Sequence, residues 1–137
     1  MILDLSPEQK AYQQEIAEFA AAAVAPHAKA IDEQDVFPRE VVAAAAAKGL
    51  LGITVAEQWG GGGRDYVSYT LALEALARAS SVVAVIVSVT TSLVAEPIAK
   101  FGTEAQKQVW LPRLAKGETI GSFALSEDVG STPFEEQ

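Results

Sequence analysis

From Ser81 to Lys100 the chain runs twenty residues without a turn signal, and this stretch restricts the fold more than any other. Val82, Val83, Val85, Ile86, Val87 and Val89 favour a strand, because β-branched side chains pack well on a pleated surface. Length favours a helix, since strands rarely exceed about ten residues. Length decides, and a buried helix is expected. Its most apolar part, Ser81 to Ala95, is about 15 residues long and is interrupted by Ser88, Thr90, Thr91 and Ser92, short of the roughly 20 that cross a bilayer. No membrane span is expected, and a soluble protein is the reading.

Composition narrows the chemistry. The 137 residues are 50% hydrophobic and 20% charged, which suits one compact domain. Ten Lys plus Arg against 18 Asp plus Glu leave a net charge of −8. Such a chain repels a phosphate backbone, so no nucleic-acid partner is expected. The absence of cysteine excludes disulfides and thiolate chemistry, and the single histidine, His27, excludes sites that need two imidazoles. Met1 to Ser6 carries neither a basic n-region with an apolar run nor an Arg-rich presequence, so a cytoplasmic location is expected.

Capping signals place the other helices. Ser6-Pro7-Glu8-Gln9 reads as N-cap, first-turn proline and capping-box glutamine, and Ile16, Phe19, Ala20, Ala23 and Val24 then form one stripe before Pro26 breaks or kinks the helix. Pro38 and Glu40 open a second helix through Ala43 to Ala47, ended by Lys48-Gly49. The apolar piece Leu50 to Val55 leads to Gly60 to Gly63, a flexible turn. A third helix carries Tyr69, Leu73, Leu76 and Ala77 on one face to about Ser80, with Glu74 and Arg78 as a surface pair. Thr103 caps a fifth over Glu104 to Lys116, with Val109, Trp110 and Leu114 inward, Pro112 kinking its end and Gly117 stopping it. Ile120 to Leu125 alone reads as a strand, with no partner strand following. The fold class is all-α: an orthogonal helical bundle of about five helices with one orphan strand at the C-terminal end.

No residue set spells out a reaction. The glycine run lacks the lysine of a phosphate loop. Glu127 and Asp128 are adjacent, whereas acid and base work needs two carboxyl groups across a gap. Glu74 and Glu96 lie at helix edges where pairing is commoner than a raised pKa, and His27 lies in a polar bend.

The order of the motifs is more telling. Ala25-Pro26-His27, Phe37-Pro38, Gly49-Leu50-Leu51-Gly52-Ile53 and Glu57-Gln58-Trp59-Gly60-Gly61 are followed by Ser92-Leu93, Pro97-Ile98, Phe101 to Lys107, Leu111-Pro112 and Gly117-Glu118. In this order they resemble the N-terminal helical domain of the flavin-dependent acyl-CoA dehydrogenases, from about Leu3 to Leu125. Ile120 to Glu127 is similar to the signature that opens that family's middle β-domain, and with Ser88-Val89 and Ser92-Leu93 it leans toward short-chain or butyryl-type members. The resemblance divides the chain into a helical domain over 1–117 and the start of the middle domain over 118–137. It ends after Ser131, where Glu127-Asp128-Val129-Gly130-Ser131-Thr132 is one residue shorter than the family signature and lacks its Asp.

The resemblance implies an FAD-dependent α,β-dehydrogenation of a fatty acyl-CoA, with electron-transfer flavoprotein as partner and a homo-oligomer, a tetramer in the family. It assigns Phe123, Leu125, Ser126 and Ser131 to flavin, and Ile86, Val89, Thr90, Leu93 and Ser131 to the acyl-CoA. The family's catalytic glutamate lies in the C-terminal domain, so no catalytic residue is expected here. The 137 residues alone are expected to be an inactive truncation, fragment or frame-shifted product. A stand-alone helical interaction module, pairing through Ile86, Val89 and Leu93, is the rival reading.

Overall fold

Ser6 starts the first helix as its neighbours dictate. Its hydroxyl accepts the Gln9 N–H at 3.1 Å while the Gln9 side chain accepts the Ser6 N–H at 3.0 Å. A computed structural model describes residues 4–125 of the chain. Helix α1 runs over residues 7–34: Pro7–Phe19 is α-helical, Ala20–Val24 widens to a π turn, Ala25–His27 tightens to a 3-10 turn at Pro26, and Ala28–Gln34 is α-helical again. Pro26 thus reshapes the helix without ending it, and the polar stretch after it is helical as far as Gln34. Asp35, in the left-handed region at φ 50°, ends it.

Helix α2 spans Arg39–Ala47, and Gly49, at φ 79°, turns the chain into a buried 3-10 turn, Leu50–Gly52. Helix α3 spans Tyr66–Ala79, starting three residues before Tyr69 because Asp65 caps it by accepting the Ser68 N–H at 2.7 Å. The long apolar stretch is helical throughout: α4 covers Ser81–Phe101, π-helical over Val89–Ala95. Its 21 residues exceed the apolar stretch read from sequence and are, by length and composition alone, enough to cross a membrane. Val83, Val87, Thr90, Thr91 and Ala95 are nevertheless buried among the other helices, as in a core helix. Helix α5 spans Glu104–Ala115 behind a Thr103–Gln106 capping box. Among the described residues five helical rods account for the bundle, and α1, α3 and α4 form its heart.

Two expectations change. Leu111, Leu114 and Ala115 are the buried stripe of α5, while Val109 and Trp110 are exposed. Leu111 and Ala115, four apart, face the Leu50–Gly52 turn and α4, which turns Val109 and Trp110 away. Ile120 to Leu125 forms no strand, because no partner strand lies beside it among the described residues.

The core has two parts. The larger joins Tyr12, Ile16, Ala20 and Val24 of α1 to Leu50, Leu51, Leu76, Val83 and Val87. The smaller joins Val55 and Ala95 to Leu111 and Leu114. Gly52 lets α5 approach: a Cβ there would stand 2.7 Å from the Ala115 Cβ. Gly52→Ala should lower stability by about 1–3 kcal/mol in urea unfolding, the usual cost of overpacking, whereas an unchanged midpoint would mean α5 is free to shift.

The Asp65 carboxyl is held below the usual carboxylate range, first by the Ser68 backbone N–H and then by the Gln9 amide. Its contribution is complete above the carboxylate pKa of the unfolded chain, near 3.9, and is lost as pH falls through the lower folded value. Asp65→Asn should therefore flatten the fall in stability on acidification below about pH 4, read from melting temperature against pH.

Candidate functional site

Helix α4 carries more apolar surface than the bundle uses. Val82, Val85 and Leu93 are exposed, and Ile86 and Val89 are half-buried. Ile86, Val89 and Leu93, spaced three and four apart, thus keep an open apolar stripe. Thr90, grouped with them from sequence, is wholly enclosed.

The π turn separates these roles. Thr91 Oγ1 donates to the Leu51 carbonyl at 3.2 Å and ties α4 to the 3-10 turn. Thr90 Oγ1 is buried without a hydrogen-bond partner among the described residues. Next to Val89, the Ser88 hydroxyl accepts from Tyr69 Oη of α3 at 3.2 Å, and Ser92 Oγ donates to the Ser88 carbonyl at 2.8 Å. These bonds hold the helix at the open stripe.

The extended segment 120–125 meets α4 at Gly121, where a Cβ would stand 2.7 Å from Val94 Cγ2. Gly121 therefore brings the segment to the π turn, beside the residue that follows Leu93. Phe123 and Leu125 are about half exposed on it, at 50% and 53%, so their side chains remain available. Ser126 and Ser131 lie outside the described residues, as do Glu127 and Asp128. The places of Gly121, Val94, Tyr69 and Ser88 at this site were not read from the sequence. A glycine within a strand-like pattern is a signal of close backbone approach that could have exposed the first two.

The two carboxylates weighed from sequence that are described, Glu96 and Glu74, are paired. Glu96 accepts from Tyr66 Oη at 2.9 Å and has Lys100 Nζ at 3.5 Å; Glu74 pairs with Arg78 at 2.7 Å. His27 is exposed. Among the described residues no cluster of His, Asp and Glu could hold a metal ion.

The family profile described as Acyl-CoA dehydrogenase, N-terminal domain, matches residues 6–118. The short-chain specific acyl-CoA dehydrogenase of Clostridium acetobutylicum is 42% identical over 132 residues, covering 96% of this chain and 35% of that protein. The butyryl-CoA dehydrogenase structure from Megasphaera elsdenii superposes at a TM-score of 0.86 with 34% identity, covering 93% of this chain and 34% of that one. A chain in the structure of the electron transferring flavoprotein of Acidaminococcus fermentans matches at a TM-score of 0.88 with 35% identity, covering 93% and 34%. The chain thus spans about a third of the length of its relatives.

The two buried threonines give opposite expectations. Thr91→Val leaves the Leu51 carbonyl without its donor and should cost about 1–2 kcal/mol, while Thr90→Val removes a hydroxyl without a partner and should be neutral or stabilising. Urea midpoints of the two variants check this. Equal destabilisation would show that Thr90 has a partner too.

Proposed function

The chain belongs to the acyl-CoA dehydrogenase family as its N-terminal domain, and from that premise we propose that it forms one wall of the acyl-CoA site in an FAD-dependent dehydrogenase of short-chain thioesters. The observation that carries this reading is the close approach of the segment of Phe123 and Leu125 to α4 at Gly121 and Val94, next to Leu93 of the open stripe.

The residues suit these roles. An apolar stripe on a helix held by Tyr69 can enclose a short acyl chain and exclude water from it. Phe123 and Leu125 lie on a segment whose backbone polar groups make no backbone hydrogen bond among the described residues, which fits a flat ring with a polar edge. Ser126 and Ser131 join them in the reading as flavin contacts and Ser131 as an acyl-CoA contact, while Thr90, enclosed, lies behind the stripe rather than on it. FAD, when bound, supplies the two-electron acceptor for the dehydrogenation. The chain's own residues bind and orient the thioester; none of them is assigned the removal of the α-proton. The short-chain preference draws on the Clostridium and Megasphaera relatives. An electron transferring flavoprotein as partner draws on the Acidaminococcus match, and a homo-oligomer on the family.

A chimera tests the wall. With this chain in place of the matching third of the Clostridium enzyme, butyryl-CoA oxidation and bound-flavin absorbance should be retained. Val89→Phe in that chimera should lower kcat/KM for butyryl-CoA about tenfold or more, the scale on which a pocket senses one or two carbons, at unchanged flavin content. Unchanged kcat/KM would remove Val89 from the wall. The 137 residues alone should not oxidise butyryl-CoA, and measurable turnover by them would place the α-proton base within this chain.

A further inference from the structure

Residues 53–65 touch both α1 and the second half of α4. At one end Val55 and half-buried Trp59 pack with Val94, Ala95 and Ile98 of α4 in the smaller core. At the other, the Arg64 guanidinium lies 3.9 Å from the centroid of the Tyr12 ring on α1, and Gln9 Nε2 donates to Asp65 at 2.9 Å. Between them runs a strap in which the N–H groups of Gly62, Gly63 and Arg64 bond to the carbonyls of Gly52, Val55 and Ile53 at 2.8, 2.8 and 2.9 Å. Gly60 and Gly63 take φ of 80° and 56°, and Gly61 lies so close to Val55 that a Cβ would overlap its carbonyl. This glycine run is therefore a bonded strap with a fastened end.

We propose that the strap is a tie through which the surface of α1 sets the position of the second half of α4, with Arg64 and Asp65 as its fasteners. The first half of α4 is held directly by the larger core through Val83, Ala84 and Val87. The second half packs Ala95 with Leu111 and Leu114 of α5, bonds Thr91 to Leu51 and Glu96 to Tyr66, and meets the strap through Val55 and Trp59 in the smaller core. An arginine stacked on a buried aromatic ring is worth enough to bias a local opening about two- to fivefold. Loosening Arg64 should therefore be felt at Val94 to Ile98, on the far side of the strap. The tie stands independently of what the open stripe of α4 binds.

Native-state amide hydrogen exchange on the 137-residue chain, resolved by NMR, tests it. In Arg64→Ala, the Gly62 and Gly63 amides and those of Val94, Ala95 and Ile98 should exchange about two- to fivefold faster, while those of Val83 to Val87 stay unchanged. Arg64→Lys keeps the charge without the planar fork and should fall between wild type and the alanine variant. Faster exchange confined to the strap would overturn the proposal, since α4 would then be indifferent to it. A uniform change that includes Val83 to Val87 would overturn it as well, because Arg64 would then act on global stability alone.

Discussion

Both long helices bury every fourth residue, and an α-helix cannot do this for long. On α1 the buried residues are Tyr12, Ile16, Ala20 and Val24; on α4 they include Val83, Val87, Thr91 and Ala95. At 3.6 residues per turn, a step of four overshoots a full turn by about 40°, so three steps would carry the stripe about a third of the way around the helix. A turn closed i→i+5 holds more residues and reverses that drift. Each helix has one where its stripe needs correction, at Ala20–Val24 and at Val89–Ala95. The π turns are thus the local answer to a packing demand set by the core, and the bundle depends on them.

The candidate site inherits this geometry. Widening the helix from Val89 onward keeps Thr91 on the Leu51 carbonyl and encloses Thr90, while Val89 and Leu93 stay on the open side. The enclosed Thr90 hydroxyl without a partner is the local cost, of the size expected for a polar group shut away from water. A regular α-helix would have rotated Leu93 and Val94 relative to Ile86, and with them the contact that Gly121 makes. The extended segment meets α4 at Val94, inside this irregular stretch and next to Leu93 of the apolar stripe.

Much of this was legible. Ser6 with Gln9 and Thr103 with Gln106 announced helix starts that the structure confirms as reciprocal caps, and the length of the valine-rich stretch outweighed its strand propensity. What escaped was whatever depends on a partner. On α5, Val109, Trp110, Leu111 and Leu114 offer more than one apolar stripe, and only the Leu50–Gly52 turn, brought close by Gly52, selects Leu111 with Ala115. Ile120 to Leu125 has strand-forming side chains, but a strand is a property of a pair. Thr90 and Leu93 look equivalent on a regular helical projection, and the π turn that divides them is imposed by neighbours.

The core is unevenly shared, and this bears on what the open stripe can do. Among the described residues fifteen buried side chains form the larger core and four the smaller, so the half of α4 that carries Leu93 and Val94 rests on the thinner support. Local stability follows the buried contact a segment makes, and this half makes less of it with the two cores than the first half does. In the proposed role, a wall that receives an apolar chain gains from being able to shift by a fraction of an ångström, whereas the same freedom in the first half of α4 would unsettle α1 and α3. Support is thus divided along one helix, and the π turn marks where the larger core gives way to the smaller.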